Sequence, residues 1–292
     1  MASDLTASRA DRQTILNNDR LIGELQQHTQ LPGIRFSGDV WYTPRMAADC
    51  LAVDPATIER TVRENREELA ESRYERLTGD RLAAFLACAD GQADGSADPL
   101  EGFPFRAFLN LALLLADSAP AKRLRLMVLD IAIDLINQPA GGATTYVDQP
   151  VRVSLREEQP RPAPAEGHAG RPLEELDFGR LESVLLNIQN DDYYPTFVDK
   201  LTHLFFCACQ FHCFADGNKR VEITLPTLFL LLNGYSDLAQ TFLAKTENIS
   251  LNVAAGNIGK DLLHKLLSAI LDGTYDADEA LRLELYHAIA RK

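Results

Sequence analysis

The sequence predicts a mostly helical protein, on the basis of three observations. Apolar residues recur at three- and four-residue spacing in several long segments, which is typical of helices with one buried face. Only residues 144–155 alternate loosely between apolar and polar, so one short hairpin is the sole strand signal, and nearby prolines weaken it. The composition, 46% hydrophobic and 24% charged over 292 residues, is that of a globular chain with a sizeable core.

The helical segments are separated by proline and glycine. We predict helices over residues 105–115 and 121–138, and a third that begins near Pro172, with Gly179 as a candidate break between two shorter helices. Residues 141–171 are irregular, and with Pro172 they carry five of the fourteen prolines. The sequence therefore predicts an N-terminal helical region (1–140), a linker or flap (141–171) and a C-terminal domain (172–292).

Residues 46–69 have the pattern of a helix-turn-helix. A short helix is followed by a turn at Val53-Asp54-Pro55, and a second helix begins near Ala56. A DNA-reading helix would present basic and amide side chains, but residues 1–80 contain 10 basic and 14 acidic residues, a net charge of −4. DNA remains an alternative partner, and packing or protein contact is favoured.

Net charge and cysteine content exclude several classes of protein. The net charge of −13 repels polyanions, which argues against a nucleic-acid coat. The five cysteines include no C-x-x-C pair, so we expect reduced thiols and no zinc site. No segment has the roughly 18 apolar residues of a membrane span, and the N-terminus lacks an apolar leader. We expect a cytoplasmic protein that does not contact a membrane.

The most informative segment is a polar loop between two apolar helices, with the sequence HCFADGNKR at residues 212–220. Gly217 and Asn218 lie where the second helix begins, and the free N–H groups and dipole of a helix N-terminus favour a phosphate. Lys219 and Arg220 add positive charge to the first turn, which is unfavourable for the helix dipole and therefore indicates an anionic ligand.

Two further residues of the loop suit phosphate chemistry. A carboxylate at Asp216 beside the phosphate could hold Mg²⁺, which prefers one or two carboxylates together with phosphate oxygens. The reference pKa of a histidine side chain is near neutrality, so His212 could take the proton from a hydroxyl nucleophile. Together these residues predict a phosphoryl- or nucleotidyl-transfer site.

The same nine residues resemble the motif of the Fic/Doc (Fido) family, H-x-F-x-[DE]-[GA]-N-[GK]-R, at every defined position. The resemblance extends over roughly residues 172–271 and implies a Fido helical bundle with the loop between two central helices. It implies transfer of AMP, or in Doc a phosphoryl group, from ATP or another nucleoside triphosphate with Mg²⁺ to a hydroxyl of a target protein. The implied roles are His212 as general base, Asp216 as metal ligand, Gly217 and Asn218 as anion cradle, Arg220 as phosphate contact, and Phe214 as buried anchor.

Departures from the motif of AMP-transferring members bear on the reaction. Lys219 stands where those members usually have glycine, and Ile223 stands where they have a second arginine. Both departures resemble Doc, whereas Gly217 stands where Doc has alanine. The resemblance therefore favours phosphoryl transfer over AMP transfer by a small margin.

The N-terminal part, chiefly residues 121–138 and the helix-turn-helix-like stretch, resembles the RhuM-type region of phage- and virulence-associated proteins. This resemblance implies a mobile-element or toxin setting and leaves target or DNA recognition open. The inhibitory pattern [ST]-x-x-x-E-[GN] of many Fido enzymes has no strict match, so a separate antitoxin or a non-standard internal segment is the expected restraint. The alternative to an enzyme is a catalytically silent regulator that binds a nucleotide or DNA.

Overall fold

The computed structural model describes residues 4–29, 31–89, 99–147, 178–214 and 217–290. Its helices are α1 (Arg9–Leu16), α2 (Asp19–His28), α3 (Pro44–Leu51), α4 (Pro55–Glu64), α5 (Arg66–Glu71), α6 (Gly79–Ala89), α7 (Phe105–Leu114), α8 (Ala119–Asn137), α9 (Phe178–Asn187), α10 (Phe197–Phe211), α11 (Asn218–Leu232), α12 (Ala239–Ala254), α13 (Lys260–Leu271) and α14 (Glu279–Ala290). Its strands are β1 (Ile34–Phe36), β2 (Asp39–Tyr42), β3 (Glu75–Leu77) and β4 (Leu100–Pro104), and short 3₁₀ turns cover Gln138–Ala140, Ser236–Leu238 and Tyr275–Ala277.

The prediction of a mostly helical protein is confirmed. The helices predicted over residues 105–115 and 121–138 correspond to α7 and α8 within two residues at each end. Gly179 lies in the first turn of α9, and the segment before Phe178, where the first of the two shorter helices was expected, lies outside the described residues. The proposed start near Pro172 lies outside the described residues, as does most of the 141–171 linker or flap.

The described residues divide into two compact units. One comprises residues 4–132 with 146–147, and the other comprises residues 133–145 with 178–290.

The first unit contains a four-stranded antiparallel sheet in the order β1-β2-β4-β3, which the sequence analysis did not predict. Its strands have only three to five residues, too few for alternation to stand out from the helical periodicity around them. Trp41 on β2 packs edge-on against Phe36, and both rings contact Phe85 of α6. The N-terminal region is therefore a helical unit with a small sheet in its core.

Two helices of the first unit enclose the turn at residues 53–55. Thr43 caps α3, and Ala52 adopts the left-handed conformation that ends it. The Asp54 side chain accepts a hydrogen bond from the Ala56 N–H, which caps α4, and Ile58 and Val62 of α4 are buried. The local sequence thus specifies both helix ends and the buried face of α4.

A buried ion pair joins α1 to α5 in the first unit. The Arg12 Nε and Nη2 atoms donate to the two carboxylate oxygens of Glu68 at 2.7 and 2.8 Å, and both residues are at most 6% exposed. The Arg12 Nη1 atom also donates to the carbonyl oxygens of Leu5 and Thr6. This bidentate geometry satisfies the polar atoms that burial would otherwise leave unpaired.

The second unit is a helical bundle around α10, which contacts α9, α11, α12 and α13. A capping box fixes the start of α10, because Thr196 and Asp199 exchange side-chain and backbone hydrogen bonds. Its buried face includes Leu201, Phe205 and Cys209, which join a core with Phe242 of α12 and other residues of α13 and α14. The bundle thus holds the end of α10 against the start of α11. Within the described ranges, none of the helices combines the length and apolar character that crossing a bilayer requires.

Candidate functional site

The site is the loop that connects α10 to α11, and His212 begins it. His212 follows the last residue of α10 and adopts the left-handed backbone conformation, with φ 43° and ψ 54°. A non-glycine residue in this conformation is uncommon, and such residues concentrate at functional sites. The backbone ends α10 here, and the imidazole is exposed over 58% of its surface. The predicted base is thus accessible at the mouth of the loop.

The side chain of Asn218 holds the loop closed. Its Oδ1 atom accepts a hydrogen bond from the Phe214 N–H at 3.0 Å, and its Nδ2 atom donates to the Phe214 carbonyl at 2.7 Å. An amide, with an acceptor and a donor on one planar group, can make both bonds at once. Because its side chain bridges the loop, only the backbone N–H of Asn218 suits the predicted role in binding a phosphate.

Phe214 is buried beneath the polar residues of the loop, which agrees with the anchoring role implied by the Fic/Doc resemblance. It is 7% exposed and packs with Leu181 of α9, Ala208 of α10 and Val221 of α11. Three helices therefore contribute to one apolar cluster, and the backbone on either side of Phe214 carries the polar residues.

The start of α11 has the character of an anion site. Gly217 precedes the helix with φ 83°, and no side chain caps the first-turn N–H groups from this position. The first turn contains no acidic residue, although acids are the usual choice there. It contains Lys219, whose Nζ atom lies 3.8 Å from Glu247 Oε1 of α12, and the half-buried Arg220. A phosphate at this N-terminus would meet both the helix dipole and these cations.

The predicted metal ligand Asp216 lies outside the described residues. In the part of the chain that the structure describes, no three His, Cys, Asp or Glu side chains gather as a metal-binding group. Mg²⁺ bound through one carboxylate and phosphate oxygens does not require such a group. The assignment of Asp216 as the ligand of a nucleotide-bound Mg²⁺ therefore stays a prediction.

Glu222 is a component of the site that the sequence analysis missed. It lies on α11, is 4% exposed, and its Oε1 atom is 3.9 Å from the His212 Nδ1 atom. Burial raises the pKa of Glu222 to about 7, and the charge of Lys219 acts in the opposite direction. The available signal was an isolated acidic residue in the otherwise uncharged stretch VEITLPTLFLLL.

The cysteines beside the loop are unsuited to nucleophilic catalysis. Cys207, Cys209 and Cys213 are buried and take no part in disulfides. Burial raises the pKa of the Cys207 and Cys209 thiols, which disfavours the reactive thiolate. His212 therefore remains the candidate for proton transfer at this loop.

A comparison with models of known protein families identifies the same region of the chain. Residues 153–230 match the model of the Fic/DOC family, and this range includes all of residues 212–220. The match does not extend to the N-terminal part, where the RhuM-type resemblance stays a prediction. No curated protein and no solved structure matches the chain significantly.

Proposed function

We propose that the Fic/DOC-family region of this chain, which the family model matches over residues 153–230, makes the protein a transferase. The reaction moves a phosphate-containing group from ATP or another nucleoside triphosphate to a hydroxyl of a target protein. Fic/Doc proteins are generally transferases of this kind, and a toxin restrained by a separate antitoxin is the biological setting that we propose.

The observation that carries the proposal is the loop between α10 and α11. An exposed imidazole at its start and a cation-bearing helix N-terminus at its end are held together by the Asn218 side chain. A proton acceptor and a phosphate site on one short, braced loop are the two groups that phosphoryl or nucleotidyl transfer to a hydroxyl requires.

Each residue of the loop has a proposed role that its position supports. His212 takes the proton of the attacking hydroxyl, which increases the nucleophilicity of that oxygen. The backbone N–H groups that follow Gly217, together with Lys219 and Arg220, bind and orient the phosphate oxygens. Mg²⁺, with Asp216 as its proposed protein ligand, would neutralise charge that develops on the phosphates.

Of the two reactions, we propose phosphoryl transfer in preference to AMP transfer. Lys219 supports it, because its ammonium lies in the first turn of α11, where AMP-transferring members usually have glycine. Ile223 supports it as well, because this position provides no second arginine for additional phosphate oxygens.

The test is labelling of a bacterial lysate by the purified protein with Mg²⁺ and each nucleoside triphosphate, radiolabelled at either the α or the γ phosphate. Protein-bound label from the γ position alone supports phosphoryl transfer, and label from the α position supports nucleotidyl transfer. His212→Ala is the control and should abolish the label. If no label with any of the nucleotides depends on His212, the transferase proposal is rejected in favour of a silent nucleotide- or DNA-binding regulator.

A further inference from the structure

A buried carboxyl group lies directly behind the exposed imidazole of the loop. The Glu222 Oε1 atom is 3.9 Å from the His212 Nδ1 atom, and Glu222 projects from the second turn of α11. Hydrogen bonds of catalytic groups are often long in structures without substrate and shorten in the reacting complex. Nε2 is then the ring nitrogen that the carboxyl does not engage.

The surroundings of Glu222 explain why this contact matters. Next to burial, the charge of Glu222 contributes to the raised pKa of the Cys209 thiol on α10. The charge of Lys219, which lies on the same helix as Glu222, lowers the pKa of Glu222 and so opposes the effect of burial. Lys219 is itself shared with Glu247 of α12, at 3.8 Å, and is exposed over 51% of its side chain. A buried carboxylate without a close partner of opposite charge is unfavourable. The imidazole of His212 lies beside Glu222 and provides a positive charge when it is protonated.

We propose that Glu222 is the positioning residue of His212, accepting a hydrogen bond from its Nδ1–H and stabilising the imidazolium that forms during transfer. This inference rests on the proposed function, in which His212 is the general base. The tautomer and charge of His212 are then set by a carboxylate that lies outside residues 212–220. In this arrangement the imidazole acts as the base, and the buried carboxylate orients it.

The O–H bond of the target hydroxyl breaks, and its proton goes to His212 Nε2, while the hydroxyl oxygen forms a new bond to phosphorus. The bond from phosphorus to the leaving phosphate oxygen breaks, and its electron pair remains on the leaving group. In its ionised form Glu222 donates no proton and pairs with the imidazolium until His212 releases its proton to solvent.

Two substitutions separate this role from a structural one. Glu222→Gln keeps the size and a hydrogen-bond acceptor but removes the charge, and Glu222→Met removes the acceptor as well. The matched control is Glu284→Gln, which removes one negative charge from an exposed ion pair with Lys265 of α13 in the same unit. Lysate labelling then gives the rate at saturating ATP and the ATP concentration for half-maximal rate.

A second readout needs no substrate. In protein labelled with ¹⁵N-histidine, the ring ¹⁵N shifts of His212 report which nitrogen carries the proton, and His212→Ala identifies the signal among the six histidines. We expect the Nδ1–H form in the wild type and a shift toward the Nε2–H form in Glu222→Met. The maximal labelling rate should fall at least about tenfold in both Glu222 variants, with the ATP dependence and Glu284→Gln unchanged.

The outcomes are distinguishable. An unchanged tautomer in Glu222→Met, or a maximal rate unaffected by either substitution, overturns the positioning role. If the wild type transfers nothing, the proposed function fails, and the tautomer measurement still decides whether Glu222 positions His212. A loss of rate that accompanies loss of folded protein by circular dichroism assigns Glu222 a structural role instead.

Discussion

Replacing Glu222 with glutamine should stabilise the protein while removing a group of the site. Burial raises the pKa of Glu222 from 4.5 to about 7. The folded protein therefore binds a proton at Glu222 more tightly than the unfolded chain does. The sign follows from this difference: the free energy of unfolding falls as the pH rises from 4.5 toward 7 and then levels off.

The magnitude follows from the same difference in pKa. At about 1.4 kcal/mol per pKa unit, ionisation of Glu222 costs the folded state about 3 kcal/mol above neutral pH. Glu222→Gln removes the ionisation but keeps the shape of the side chain. Its free energy of unfolding should match that of the wild type near pH ~4, below the unfolded-state pKa, and exceed it by about 3 kcal/mol near pH ~8.

Urea-induced unfolding, followed by circular dichroism of the helices at several pH values, measures this difference. Glu284→Gln is again the control, since its exposed carboxylate should give no pH-linked gain. Equal free-energy differences between Glu222→Gln and the wild type at low and high pH would refute the reasoning. A variant that is more stable and less active would separate stability from function at this position.

Three further predictions address the loop and the first unit. Asn218→Ala removes two hydrogen bonds across the loop and should cost about 1–3 kcal/mol, seen as faster hydrogen exchange of the Phe214 amide; unchanged exchange would contradict the bracing role. His212→Gly should abolish labelling yet unfold within about 1 kcal/mol of the wild type in urea, because glycine suits the left-handed backbone there. Arg12→Met removes the close partner of the buried Glu68 and leaves Arg9, whose Nε atom lies 3.9 Å from Glu68 Oε2. The free energy of unfolding in urea, monitored by the single tryptophan, should fall by about 3 kcal/mol, and Arg12→Met/Glu68→Met should recover most of the loss. Equal losses in the single and double variants would show that the buried charge is not the cause.

The helices and the loop could be predicted from the sequence because their signals are local. The apolar spacing over residues 121–138 placed the end of α8 within two residues. The residues at 212–220 are contiguous, so their presence between two apolar helices indicated a phosphate site before any tertiary contact was known.

The sheet shows where local signals were insufficient. Ser37 and Gly38 form the turn between β1 and β2 with φ 50° and 80°, the conformation of a tight hairpin, but the flanking strands are too short to show alternation. β4 joins β2 and β3 from more than twenty residues further along the chain. Such pairing depends on the fold of the intervening residues and leaves little trace in any one segment.

By itself, the sequence determined that this protein is mostly helical, and it predicted that one short loop carries a base, an anion site and a metal ligand. These features depend on residues that are neighbours along the chain or along one helix. Only the tertiary structure decided that the Asn218 side chain braces the loop and that Glu222 is buried beside His212. Both contacts require the left-handed backbone at His212, which turns the chain between α10 and α11 and brings groups from the two helices within a few ångströms.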